Sequence, residues 1–108
     1  MKKVVINIDY GGYSISNKAW KAIQDAHEPS EIQGDECRTS PALIDFIHKY
    51  GFKAASGHYS NLAFALIPDD ATDWRIEEYD GMETVWYVQN GKMYNAPIDN
   101  EDRENDDD

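Results

Sequence analysis

The chain has 108 residues, of which 41% are hydrophobic and 12% aromatic, enough apolar mass for one hydrophobic core and one domain. Twenty-one Asp and Glu stand against ten Lys and Arg, a formal net charge of −11 and an isoelectric point near 4.5. A surface of that sign repels phosphate, which argues against direct nucleic-acid binding and against attraction to anionic membranes.

No apolar run approaches the roughly 20 residues that a spanning helix needs. Met1-Lys2-Lys3 leads into a short alternating segment without a signal-peptide core, so the expected location is the cytoplasm. The single cysteine, Cys37, fits a reducing compartment.

Lys3 to Asp9 alternates Val4, Ile6 and Ile8 with Lys3, Val5, Asn7 and Asp9, the period of a strand. It ends at Tyr10-Gly11-Gly12-Tyr13, where paired glycines permit backbone angles that other residues avoid, and Ser14 or Ser16 can then cap a helix. Trp20, Ile23 and His27, with Ala19, Ala22 and Ala26 beside them, recur at three-and-four spacing over residues 17–27, which predicts an amphipathic helix closed by Pro29. Residues 28–39 are polar and read as a loop. A second helix starts with Ser40 as N-cap and Pro41 at the first helical position, and ends before Gly51; its apolar stripe is Leu43, Phe46, Ile47 and Tyr50.

After a loop containing Gly57, Leu62 to Ile67 (LAFALI) is a short continuous apolar run, the pattern of a buried strand. Asp80-Gly81 and Asn90-Gly91 then separate three alternating segments. These are type I′ hairpin signals, because both central residues need positive φ. Two-residue turns set Ile76 opposite Val85, Trp74 opposite Tyr87 and Tyr87 opposite Tyr94, an aromatic stripe on one face; Met82, Thr84, Trp86, Val88 and Met93 take the other. The predicted order is β-α-α-β-β-β-β, an α+β two-layer sandwich with two helices on a mostly antiparallel sheet that ends in a three-stranded meander. Two short helices cover one sheet face only, so the exposed sheet face is an expected surface for a second copy, as a homo-oligomer, or for a partner. The body is expected to span residues 1–98. Residues 99–108 (DNEDRENDDD) hold seven acids and one arginine and no apolar residue, so they read as a disordered acidic tail.

The segments VVINIDYGGYSIS, ECRTSPALIDFIHKYG and LAFALIPDDATDWRIEEYDGMETVW together resemble a widespread group of uncharacterised phage and prophage proteins. That group opens with a strand, a YGGF-like loop and a serine-capped helix, and carries a downstream IPDD…W-I-E-E-YDG stretch. The likeness covers most of residues 1–89. Ser40 stands where that group usually has Asp, and the Asn-Gly hairpin and acidic tail replace a basic ending. The resemblance implies a phage-encoded accessory protein acting in the bacterial cytoplasm, and it supplies no activity.

Two sets of residues are candidate sites. Tyr10, Gly11, Gly12, Tyr13 and Ser14 join a strand to a helix N-terminus, where free N–H groups favour an anion such as a nucleotide phosphate; Trp20 would add a stacking surface and Arg38 a phosphate contact. The loop lacks the full G-x-G-x-x-G and the lysine of a P-loop, and Arg38 has local alternatives in Asp35 and Glu36. The second set is acidic: Asp69, Asp70, Asp73, Glu77, Glu78, Asp80 and Glu83 around the first hairpin. Here Glu78 opposes Glu83, a like-charge pair that needs an offsetting cation. Cys37, His48 and His58 lack zinc-ligand spacing, and neither a metal, a cofactor nor a catalytic residue is expected.

Two functions follow as expectations. The first is a non-enzymatic factor that binds a basic surface of a host protein, such as a nucleic-acid-handling or defence enzyme, with an acidic surface standing in for DNA. The second is a protein that binds or sequesters a nucleotide signal in the glycine loop.

Overall fold

The computed structural model describes residues 1–29 and 37–101. Its elements are β1 (Lys2–Asn7), α1 (Asn17–Ala26), α2 (Pro41–Tyr50), α3 (Phe52–Ala55), β2 (Leu62–Ile67), β3 (Asp73–Tyr79), β4 (Met82–Gln89), β5 (Lys92–Asn95) and β6 (Ile98–Asp99). The fold is α+β, and its strands form two antiparallel three-stranded sheets, ordered β1-β2-β6 and β3-β4-β5.

The second sheet follows from turn chemistry. Asp80 and Gly81 have φ of 52° and 88°, Asn90 and Gly91 of 54° and 77°, the left-handed pairs of type I′ turns. Each two-residue turn fixes its register: Trp74 faces Tyr87, Ile76 faces Val85, Glu78 faces Glu83 and Tyr87 faces Tyr94, all as the spacing predicts.

The first sheet is assembled from segments far apart in the chain. β2 runs antiparallel to β1, with Val5 opposite Phe64, and β6 adds on its other side, with Asp99 opposite Phe64. Val5, Leu62 and Phe64 point to the helices, where they pack with Ala19, Ile23, Leu43, Ile47 and Phe52. Val4, Ile6, Ala63, Ala65 and Ile67 point the other way, onto Val85, Ala96, Trp74, Ile76 and Tyr87 of the meander side. The first sheet is thus covered on both faces, by helices on one and by the second sheet on the other. That explains why LAFALI is apolar without alternation. Each fully buried Val, Leu or Ile in this layer contributes about 1.5–3 kcal/mol.

Several details differ from the sequence reading. The strands divide into two sheets where one was expected, so among the described residues the face left open is the outer side of the meander. A one-turn helix, α3, follows Gly51 and seats Phe52 edge-on against Phe64, ring centroids 4.8 Å apart. Asp99, assigned to the tail from its charge, is a strand residue paired to β2, because the backbone of β2 offers it a ladder. Residues 102–108 of the expected tail lie outside the described residues, as do residues 30–36 of the expected loop. On α1 the buried positions are Ala19 and Ile23; Trp20 is exposed, and His27 is the left-handed C-cap.

Both predicted helix starts are capped. Ser16 Oγ accepts from Ala19 N–H and Ser40 Oγ accepts from Leu43 N–H, each satisfying one of the first-turn donors. Glu28 reinforces the second cap: its Oε1 accepts from Ser40 Oγ and its Oε2 from Ala42 N–H.

Candidate binding surface

A left-handed residue, Cys37 with φ 63°, turns the chain just ahead of α2, and the turn lies along β1, where Val5 N–H donates to Arg38 O at 2.8 Å. The turn delivers the Arg38 side chain to the interior. Its guanidinium meets the Glu83 carboxylate bidentately, Nη1 to Oε1 at 2.6 Å and Nη2 to Oε2 at 2.8 Å. Both side chains are only 7% exposed. Tyr13 covers the guanidinium, its ring centroid 3.6 Å from Arg38 Cζ, and Asn7 N–H donates to Glu83 Oε1 at 2.9 Å.

This pair corrects two expectations. Glu83, grouped with the surface acids, is buried and presents nothing to a partner, and the Glu78–Glu83 opposition is relieved by Arg38 from within the molecule. Arg38, offered as a phosphate contact, is engaged with Glu83, and a phosphate would have to displace a carboxylate to reach it. Asp35 and Glu36 lie outside the described residues.

Asn7, fully buried, ties three loops to the end of β1. Its Nδ2 donates to Gly81 O at 2.7 Å and to Asp9 O at 2.6 Å. Its Oδ1 accepts from Asn61 N–H at 2.8 Å and from Asp9 N–H at 3.2 Å. Since β1 and β2 are apolar on both faces, binary patterning cannot decide their register, and a buried amide with four specific partners does so.

The glycines serve backbone packing. A Cβ on Gly11 would lie 1.9 Å from Tyr59 O, and one on Gly81 would lie 2.4 Å from Tyr10 O and 2.7 Å from Gly12 N. A Cβ on Gly57 would lie 2.0 Å from Ser14 Oγ. Residues 9–14, 57–61 and 80–81 therefore meet backbone to backbone at one end of the molecule. The glycine loop brings Tyr13 onto Arg38 as the sequence grouped them. It turns Tyr10 to solvent, 61% exposed, and the cap of α1 is Ser16, with Ser14 O accepting from Gly57 N–H and Ser60 Oγ.

Charge is divided between the halves of the chain. Residues 1–68 contain seven Lys and Arg and seven Asp and Glu, whereas residues 69–108 contain three against fourteen, so the whole net charge of −11 belongs to the second half. Asp69, Asp70, Asp73, Glu77, Glu78 and Asp80 are exposed along this half. Their contacts are peripheral: Asp69 with the N-terminal ammonium at 3.0 Å, Glu77 with Arg75 at 3.2 Å, Asp70 with Gln89, Asp73 with Trp74 N–H and Glu78 with Gly81 N–H. Exposed ion pairs of this kind are worth about 0–1 kcal/mol, so these acids are not needed to hold the fold. Of these acids, Asp73 lines a depression on the outer face of the meander together with Arg75, Trp86, Val88 and Met93.

Sequence reasoning placed a loop at Gly57 but gave no role to residues 56–61, Ser-Gly-His-Tyr-Ser-Asn, whose Tyr59 is 72% exposed; the signal was a composition of Tyr, Ser, Gly and Asn that suits adaptable contact loops. Cys37, His48 and His58 are not brought together. Cys37 is buried, His48 Nε2 lies 2.7 Å from Lys3 Nζ, and His58 packs on Tyr59 with centroids 4.4 Å apart. Among the described residues no three His, Cys, Asp or Glu side chains converge as metal ligands, and no helix is long and apolar enough to cross a membrane. No family model, curated protein or solved structure matches the chain.

Proposed function

We propose that this chain is a non-enzymatic binding protein, a phage-type accessory factor whose acidic half engages a basic surface on a host protein such as a nucleic-acid-handling or defence enzyme. The observation that carries the reading is the charge division: every unit of net charge lies in residues 69–108, and within that stretch Asp69, Asp70, Asp73, Glu77, Glu78 and Asp80 are exposed and do little for stability. Such a one-sided field accelerates encounter with a cationic patch and selects against anionic partners. The phage setting is supported by the resemblance carried by three segments that cover most of residues 1–89.

The test is affinity capture from bacterial lysate with the tagged chain and with a variant carrying Asp69→Asn, Asp70→Asn, Asp73→Asn and Glu77→Gln. The expected result is a basic protein retained by the parent chain at low salt, released at high salt and not retained by the variant. Retention that ignores both salt and the substitutions would overturn the reading. A nucleotide co-purifying with both chains would replace it with the small-molecule reading.

A further inference from the structure

We propose that the end of the molecule where residues 9–14, 57–61 and 79–81 meet is the anchor of that interface, and that it receives an arginine side chain of the protein partner on the exposed rings of Tyr10 and Tyr59, beside the carboxylates of Asp9 and Asp80. The inference rests on the protein-binding reading above and names the group it recognises.

Tyr10 and Tyr59 are 61% and 72% exposed on adjoining loops, and Tyr79, the last residue of β3, is 77% exposed. Tyrosine offers broad contact area with few rotatable bonds, and it anchors interfaces where one edge of the ring stays wet. The loops that carry these rings are pre-organised. Gly11 lies against the backbone of Tyr59, Gly81 against that of Tyr10, and Asn7 bonds to Gly81 and Asn61. Binding there forfeits little backbone entropy.

The electrostatics select a cation. Residues 9–14, 57–61 and 79–81 contain Asp9 and Asp80 and neither Lys nor Arg. The molecule already shows the chemistry on its inner side, where Arg38 stacks on Tyr13 at 3.6 Å and pairs with the Glu83 carboxylate. Tyr10 and Asp9 belong to the same loop as Tyr13 and offer the same two groups outward. Arginine is favoured over lysine because its planar, weakly hydrated guanidinium stacks on a ring while still donating to a carboxylate.

The experiment titrates the full chain with fluorescein-labelled nona-arginine and nona-lysine peptides at one ionic strength, following anisotropy and backbone amide shifts. The expected result is a preference for nona-arginine of about five- to thirtyfold, with shifts at Tyr10, Tyr59 and Asp80. The variant Tyr10→Leu/Tyr59→Leu, which keeps apolar bulk on exposed positions and so keeps the fold, is expected to bind nona-arginine no better than nona-lysine. Equal binding of the two peptides by the parent chain, with shifts confined to Asp69–Glu77, would overturn the anchor and leave the acidic-surface reading standing. An arginine preference that survives in the double variant would also overturn it. Failure of both peptides to bind would overturn both.

Discussion

Removing the Arg38 guanidinium tests whether the buried pair holds the two halves of the protein together. Arg38→Met keeps an unbranched stem beneath Tyr13 and deletes the charge, stranding a Glu83 carboxylate that had received Nη1 at 2.6 Å and Nη2 at 2.8 Å, with Asn7 N–H remaining at 2.9 Å. Breaking one side of a buried pair costs about 3–5 kcal/mol, a large part of the roughly 5–15 kcal/mol that stabilises a domain. At about 4 °C per kcal/mol for a chain of this size, Tm falls by about 12–20 °C. The double variant Arg38→Met/Glu83→Gln retains an amide oxygen to accept from Asn7 N–H and has no stranded charge, so it should recover about 1–3 kcal/mol of the loss as coupling energy. Urea unfolding followed by tryptophan fluorescence measures all four corners of the cycle, with an unchanged m-value as the check that the same surface unfolds. A loss under about 1 kcal/mol for Arg38→Met, with no coupling, would place the pair among exposed ion pairs and refute the reasoning.

Two other substitutions probe how the loops are held. Gly81→Ala meets both a φ of 88° and the Tyr10 carbonyl 2.4 Å from the new Cβ, whereas Gly91→Ala has φ 77° with nothing within 4 Å. Thermal melts should therefore show about 1 kcal/mol lost at Gly91 and at least twice that at Gly81; equal losses would deny the close approach of the hairpin to the glycine loop. Asn7→Ala removes four side-chain bonds at one buried point, with an expected loss of about 2–4 kcal/mol and faster hydrogen exchange at the Asn61 amide. Unchanged exchange there would mean that Asn7 does not tie the loops to β1.

The parts of the fold legible in the sequence are those decided within a few residues. Asp80-Gly81 and Asn90-Gly91 state a turn type, the turn type states a register, and every facing pair from Asp73–Val88 to Gln89–Lys92 follows. Ser40, Pro41 and Gly51 bracket α2 in the same way. Pairings across long stretches of chain were not legible. That β2 lies between β1 and β6, and that the meander folds back over Val4 and Ile6 as a second sheet, depends on surfaces that exist only once each element has formed. Trp20 illustrates the limit of periodicity: it shares spacing with Ile23, but Ala19 occupies the tight approach of α1 to the core and leaves the larger ring outside.

Glu83 shows what a local conflict can reveal. The hairpin register sets it opposite Glu78, and two like charges in that relation call for a cation; the cation was Arg38, 45 residues away, which no sequence window contains. The consequence separates acids that hold the fold from acids available to a partner. In a series neutralising Asp69, Asp70, Asp73, Glu77 and Glu83 one at a time, the four exposed positions should each leave Tm within about 2 °C, because surface pairs are worth about 0–1 kcal/mol. They should nonetheless weaken salt-sensitive binding. Glu83→Gln should do the reverse per molecule folded, lowering Tm by several degrees through the uncompensated Arg38 while leaving the affinity of the folded fraction unchanged. If Glu83→Gln weakened binding without lowering Tm, the carboxylate would be at the surface in solution, and the division of the acids into a structural one and an interacting set would fall.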